Sequence, residues 1–306
     1  MEITIGTRGS RLARAQSEMV AARLRDVRSG VNVTIRTIET GGDRVSKWSE
    51  VRDETGIFVK EIEDALLNGE VDMAVHSVKD MPASQPPGLV LASVPDREDP
   101  RDVLVSRNGA TFENLASGAV IGTSSIRRKA QLLYQRPDIT VVDLRGNVDT
   151  RLKKLDENHM AGTVIAAAGL VRLGLSAKIS EYLPLQWMLP APCQGAVGIE
   201  VRADDSASLD IAESINDRDA FMRVEAERAF MRYFGAGCRI PVSALAEISS
   251  GRIHMECVAT EPHGRSSVRV MGEAPVEQSA ALGERLARKL LDAGGRQLAG
   301  GTGENK

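Results

Sequence analysis

Apolar and polar positions in the first third of the chain fall into two alternating rhythms. Glu2 to Ile5 is a short β-branched run and Arg11 to Arg25 a longer helical pattern; Val31 to Thr37 and Phe58 to Asn68 repeat that order, and Met73 to His76 adds another short apolar run. Strands alternating with helices predict β-α-β units around a mostly parallel sheet. A proline-rich stretch, Met81 to Gly88, interrupts the pattern, and the charged, proline-containing Pro95 to Arg101 reads as a crossing with a hinge. A second α/β unit starts at Ala119-Val120-Ile121 and continues through a helix at Arg127 to Gln135 and strands at Ile139 to Leu144 and Thr163 to Ala167. Leu183 to Pro192 carries three prolines and reads as another crossing, after which Ala196 to Val201 is a strand placed to return to the first domain. A helix over Phe221 to Phe234 leads into a glycine-rich turn at Gly235 to Cys238. The rest, Ser243 to Arg269 with a helix from Ala280 to Asp292, reads as a small α+β unit with a glycine-rich tail.

Two stretches echo each other. Ile5-Gly6-Thr7-Arg8-Gly9-Ser10-Arg11 and Ile121-Gly122-Thr123-Ser124-Ser125-Ile126-Arg127 each pass from an apolar run through Gly and small hydroxyl residues into an Arg-rich helix, with Ala15-Gln16 and Ala130-Gln131 following. Such a turn presents free backbone N–H groups and the positive end of a helix dipole to an anion. Two domains of this kind suit an enzyme for an anionic substrate, and equally a two-lobed receptor for a small polycarboxylate.

Length and charge narrow the field. At 306 residues and 32.9 kDa the chain exceeds one ordinary core, so two or three domains are expected. The net charge is −3 and aromatics make up only 3%, which argues against a generic nucleic-acid binder. No run approaches the roughly 18 apolar residues of a membrane span, and Met1 to Gly6 lacks the marks of a secretory signal, so a cytoplasmic location is expected. Cys193, Cys238 and Cys257 are odd in number and widely spaced, suggesting neither a disulfide framework nor a metal site.

The basic residues are lopsided, 30 Arg against 9 Lys. Arg8, Arg11, Arg127, Arg128, Arg145, Arg151 and Arg172 sit near strand ends, where planar guanidinium groups suit a ligand with several carboxylates; the bland alternative is solvated surface charge. Asp80 follows an apolar strand and precedes the Met81-Pro82 turn. It is placed either to donate a proton and then stabilise a cation in a ligand crevice, or merely to cap the turn or pair with Lys79. His76 reads first as a packed core residue and second as an acid or base. Cys238, between Gly237 and Arg239, is either an exposed nucleophile or a small buried hydrophobe, while Cys193 and Cys257 look inert.

Taken in order, Gly56-Ile57-Phe58-Val59-Lys60-Glu61, His76-Ser77-Val78-Lys79-Asp80, Arg97-Glu98-Asp99-Pro100-Arg101-Asp102, Gly122-Thr123-Ser124-Ser125-Ile126-Arg127-Arg128, Leu144-Arg145-Gly146-Asn147-Val148-Asp149-Thr150-Arg151 and Gln194-Gly195-Ala196-Val197-Gly198 resemble the porphobilinogen deaminase family, also called hydroxymethylbilane synthases. The resemblance runs from Ile5 to about Leu298. It implies two periplasmic-binding-protein-like α/β lobes with mixed, mostly parallel sheets, plus a smaller C-terminal α+β domain. On this chain those are residues 1–96 with 196–215, residues 101–190, and residues 218–306. It also implies a transferase that joins four porphobilinogen molecules head to tail with release of ammonia, then frees hydroxymethylbilane by hydrolysis. The implied primer is a dipyrromethane cofactor held as a thioether on Cys238, with Asp80 as the catalytic carboxylate. Arg8, Ser10, Gln16, Phe58, Lys79, Thr123, Ser124, Ser125, Arg127, Arg128, Arg145, Gly146, Asn147, Arg151, Arg172, Gln194 and Gly195 are the implied binding set. A monomer that passes its product to the next tetrapyrrole-pathway enzyme is expected, with no metal, nucleic acid or membrane partner. Two departures stand out: Val51 to Thr55 holds only Arg52 where many members carry lysines, leaving Arg44, Lys47 or Arg52 for that task, and Cys193 replaces a small residue before Gln194.

Overall fold

The computed structural model describes residues 1–41, 59–157, 159–235 and 241–298. From the N-terminus run β1 (Glu2–Arg8), α1 (Arg11–Val27), β2 (Asn32–Ile38), α2 (Lys60–Leu67), β3 (Met73–Ser77) and β4 (Leu89–Arg97). Next come β5 (Asp102–Ser106), β6 (Val120–Gly122), α3 (Ile126–Gln135), β7 (Thr140–Val142), α4 (Val148–Glu157), β8 (Gly162–Ala166), α5 (Ala167–Arg172) and β9 (Glu181–Tyr182). The chain continues with β10 (Ala196–Arg202), α6 (Ser206–Glu213) and α7 (Arg218–Phe234), and ends in β11 (Val242–Ser249), β12 (Arg252–Thr260), β13 (Ser267–Pro275), α8 (Ser279–Asp292) and α9 (Gly295–Leu298).

These elements form two units, Met1–Arg97 with Ala196–Phe221, and Glu98–Gly195 with Met222–Lys306. The first holds a five-stranded sheet in the order β2-β1-β3-β10-β4. In it β1 runs parallel to β2 and β3, and β10 runs antiparallel to β3 and β4. The second holds the order β7-β6-β8-β5-β9, with β6 parallel to β7 and β8, and β5 antiparallel to β8 and β9. It also holds the antiparallel meander β11-β12-β13. The two stretches that echo each other in sequence therefore supply β1 and β6, which take the same second place in their sheets and lead into capped helices.

Local chemistry explains these starts. Ser10 is the N-cap of α1, its hydroxyl accepting from Ala13 N at 3.2 Å, and Ser125 caps α3 by accepting from Arg128 N at 3.4 Å. Along α1 the buried residues Gln16, Ser17, Val20, Ala21 and Leu24 recur at helical spacing and cover one face of the sheet. At the end of β6 a Cβ on Gly122 would lie 2.7 Å from both a Leu144 methyl and the Met160 sulfur, so any larger residue there would force those side chains to move.

Three strands, β4, β5 and the two-residue β9, were not among those expected. Leu89–Arg97 is β4, although it contains Pro95; as the edge strand of its sheet it pairs with β10 alone, where a missing N–H is tolerated. The crossing narrows to the residues between β4 and β5, and β5 is a wholly buried strand. Ile3, Ile5, Val20, Leu24, Met73, Val75, Val197 and Ile199 fill the first core. In the second unit the five-stranded sheet and the meander keep separate cores, Leu104, Ile121, Leu132 and Val164 in one and Phe230, Phe234, Met255 and Leu286 in the other. Leu189 joins them by packing on Leu245 and Val258.

Candidate active site

In the first unit a pocket opens at the carboxyl ends of β1 and β3. Arg8, Ser10, Gln16, Val59, His76, Ser77 and Asp80 are among its lining residues. Asp80 ends the short 3-10 turn that follows β3, next to Lys79, and is exposed at the pocket wall. Gln16 is buried and its amide bonds to the Ser77 hydroxyl at 2.9 Å, which fixes the pocket floor from α1 to β3. Arg8 places a guanidinium in the same wall, so the pocket combines one positive group, one carboxylate and neutral hydrogen-bonding groups.

The second unit gathers its charges differently. Arg127 and Arg128 are both about 5% exposed and converge on Asp102, which is fully buried at the start of β5. Arg128 bonds Asp102 Oδ1 through Nε at 2.9 Å and Nη2 at 2.7 Å, while Arg127 Nη1 lies 2.8 Å from Oδ2 and donates to Leu189 O at 2.8 Å. Gln194 completes the cluster by donating to Asp102 Oδ1 and Pro100 O. Burial pushes the Asp102 carboxyl up, but Arg127 and Arg128 outweigh it and hold it well below the usual carboxylate range. One carboxylate facing two guanidinium groups leaves a surplus positive charge, and the buried Arg127 Nε has no hydrogen-bond partner among the described residues.

The remaining second-unit residues named from sequence occupy strand-end turns. Thr123 donates its N–H to Val142 O and accepts from Ser125 N, and the exposed Ser124 bonds Leu144 O at 3.2 Å. Asn147 Oδ1 accepts from Thr150 N at the start of α4, Arg151 Nε donates to Gly146 O at 2.8 Å, and the exposed Arg145 pairs with Asp143 at 2.7 Å. Arg172 donates to Gly195 O at 2.8 Å, tying α5 to the segment before β10. Gly195 has φ +89°, and a Cβ there would lie 2.2 Å from Glu98 O. Cys193 and Cys257 are buried; desolvation, with Glu227 and Glu256, pushes the Cys257 thiol well up, so it remains a thiol. Phe58, Cys238 and the loop holding Arg44, Lys47 and Arg52 lie outside the described residues.

Sequence reasoning missed four buried acids, Asp102, Glu63, Glu200 and Glu227. Asp102 was legible only as part of a motif, and Glu63 and Glu200 gave no signal, since α2 and β10 read as ordinary elements. His76, expected as a packed core residue, is indeed buried, yet it faces Glu200 at 3.4 Å.

A mixed α/β chain whose strand-end turns bear capped helix starts, guanidinium groups and an exposed carboxylate has the features of a protein that handles small anions. More narrowly, the chain belongs to the porphobilinogen deaminase family: residues 3–210 match the model of the porphobilinogen deaminase dipyromethane cofactor binding domain, and residues 221–292 that of the porphobilinogen deaminase C-terminal domain. Relatives named porphobilinogen deaminase include those of Thermus thermophilus, 47% identical over 97% of both chains, and Pelotomaculum thermopropionicum, 45% identical over 97% of this chain and 96% of that one. The relative from Roseiflexus is 44% identical over 98% of this chain and 99% of its own. Among solved structures, the substrate-binding domain of a putative molybdenum ABC transporter from Clostridium difficile is similar over 72% of this chain and 95% of its own, at 11% identity and a TM-score of 0.44. So distant a likeness adds no weight. The residues present fit an anionic dipyrromethane: the Arg127–Asp102–Arg128 cluster has positive charge to spare and a buried N–H that lacks an acceptor.

Proposed function

We propose that this enzyme joins four porphobilinogen molecules head to tail on a dipyrromethane primer held as a thioether by Cys238, and then releases hydroxymethylbilane by hydrolysis. The observation that carries the site assignment is the exposed Asp80 in one pocket wall with Arg8, Ser10 and Gln16. When bound, the primer supplies the free pyrrole carbon on which the chain grows.

Each round expels the protonated amino group of porphobilinogen's aminomethyl arm as ammonia; the carbon–nitrogen bond breaks and the methylene stays on the ring as a positively charged azafulvene. A carbon–carbon bond then forms to the acceptor pyrrole, and the acceptor carbon gives up its proton. Asp80 holds its carboxylate against the pyrrole nitrogen as positive charge develops there. At about 4 Å and an effective dielectric of about 20, one such charge is worth about 4 kcal/mol. Arg8 takes a carboxylate of the incoming substrate, Ser10 and Gln16 shape the floor, and Lys79 adds positive charge beside Asp80. Arg127, Arg128, Arg145, Arg151 and Arg172 hold the acetate and propionate groups, with Thr123, Ser124, Ser125, Gly146 and Asn147 adding hydroxyl, amide and backbone donors. Gln194 and Gly195 fix the segment that re-enters the first sheet, and Phe58 packs near the terminal pyrrole.

Three sheets with separate cores support a division into residues 1–96 with 196–215, residues 101–190, and residues 218–306. Among the described residues no helix is long and apolar enough to cross a membrane. We take the enzyme to be a cytoplasmic monomer whose product passes to the next tetrapyrrole enzyme.

Intact-mass spectrometry tests this reading. The purified protein is expected to exceed its sequence mass by two linked pyrrole units, Cys238→Ser to lose the increment, and added porphobilinogen to produce a ladder of one to four further pyrroles. Full activity from a chain with an unmodified Cys238 thiol rules the proposal out, and so does a receptor's behaviour, binding without any mass increment.

A further inference from the structure

Behind the Asp80 pocket lies a buried group of side chains that has no part in the assignment above. His76 and Glu200 stand on the neighbouring antiparallel strands β3 and β10. Gly198 is opposite His76 and Glu200 opposite Ala74, so the two side chains meet diagonally on one face of the sheet. His76 Nε2 lies 3.4 Å from Glu200 Oε2, with side chains 3% and 0% exposed. Glu63, on α2, is buried too, and its carboxyl responds to both charges. Neither oxygen of Glu200 has a hydrogen-bond partner among the described residues, nor does Glu63 Oε1. Buried carboxylate oxygens are normally satisfied, because leaving them bare costs several kcal/mol. The bare Glu200 oxygens, with His76 Nε2 also lacking a hydrogen-bond partner 3.4 Å away, mark a place where protons, not fixed donors, balance the charge.

Ionising Glu63 adds one negative charge to the group. His76 itself lines the pocket with Asp80, so the group reaches the pocket wall. Around the group lie Glu63 and Asp64 on α2, Glu200 on β10, Arg8 at the end of β1, and Lys79 and Asp80 in the turn after β3; α1 contributes the uncharged Gln16.

We propose that His76, Glu200 and Glu63 form a proton-holding group whose net charge tunes the stability of the cation formed beside Asp80. It rests on the catalytic reading of Asp80, and its three members are positioning residues acting through the pocket wall. Burial, reinforced by Glu200 and opposed by His76, pushes the Glu63 carboxyl up to about 7, so the change of charge falls near neutral pH. Ionisation adds a negative charge behind the wall, and kcat rises as pH passes through this region.

The test uses the cofactor-loaded enzyme. Wild type is expected to show a rising limb in kcat near pH 7. Glu63→Gln loses that limb and turns over about tenfold more slowly at pH 8, with KM within about twofold of wild type. Independently of activity, the Glu63 side-chain carboxyl carbon resonance of the wild type, assigned with a Glu63→Asp variant, should pass an inflection near pH 7. The proposal is overturned when Glu63→Gln keeps the wild-type limb. Should Glu63→Gln not fold, the wild-type titration decides alone, and a Glu63 carboxyl resonance with its inflection in the ordinary carboxylate range overturns the proposal. Asp80→Asn, run in the same series, separates the two readings: normal turnover by that variant removes the catalytic assignment. Loss of its activity beside a Glu63→Gln limb like that of wild type removes only the triad.

Discussion

Asp102 shows how much one buried charge can organise. Taking a carboxylate fully out of water is costly, and its compensation comes from two guanidinium groups one residue apart on α3, together with the Gln194 amide. Asp102→Asn keeps the shape and removes the charge, leaving two buried cations without a counter-ion. We expect a loss of about 3–5 kcal/mol in stability, read as a lowered midpoint in urea unfolding. Its depressed native pKa also fixes the sign of the acid response: the contribution is present above the ordinary pKa of 3.8 and fades as pH falls toward the native value. At the pocket, Asp80→Asn should leave the unfolding midpoint of wild type in place and cut kcat by about a hundredfold or more in steady-state assays. The two acids differ because one is exposed at a wall and the other is enclosed by its partners. Both stand in motifs visible in the sequence, but which one is buried was not visible there.

The return strand β10 is the element on which the first unit depends. It lies between β3 and β4, so the sheet around the Asp80 pocket is completed only after the chain has traversed residues 98–195. Its entry is set by the turn before it, where Cys193 has φ +62° and Gly195 φ +89°. Gly195 O accepts from both Glu98 N and Arg172, and Glu98 O closes the space where a side chain would begin. Gly195→Ala is therefore expected to destabilise by about 2–4 kcal/mol, measured by calorimetry, through strain and the forced parting of Glu98 from this turn. The Gln194-Gly195 pair was legible as a motif; its reason, a carbonyl 2.2 Å from an absent Cβ, is a contact between segments almost a hundred residues apart. In the same way Pro95 argued for a crossing until its edge position in the sheet was known.

Glu63 gives the folded chain a pH response of its own. Its native pKa of about 7 lies above the ordinary 4.5, so the folded state holds a proton that the unfolded chain releases. Stability from this source is complete below about pH 4.5 and declines as pH rises toward 7. Glu63→Gln should escape the decline: its melting temperature relative to wild type is expected to improve between pH 5 and pH 7.5, by an amount equivalent to about 1–3 kcal/mol. A constant difference across that range contradicts the proton placement, whatever the activity does. The same strand pairing that builds the sheet thus places an acid where it costs stability, and the proposed return for that cost is charge behind a pocket that must hold a cation.

Much was set by the chain alone: the alternation of strands and helices, the two echoing strand-to-helix turns, and the family with its roster of Arg, Gly and Asp positions. These are local features, carried by periodicity, caps and short motifs over a few residues. Tertiary structure alone decided that Arg127 and Arg128 share the carboxylate of Asp102, that β10 enters the first sheet between β3 and β4 and antiparallel to both, and that His76 meets Glu200. Each of those outcomes depends on which distant segments lie side by side and on how far water is excluded from them. Burial and long-range pairing, which fix both, are properties of the folded chain as a whole and leave no mark in a local stretch of sequence.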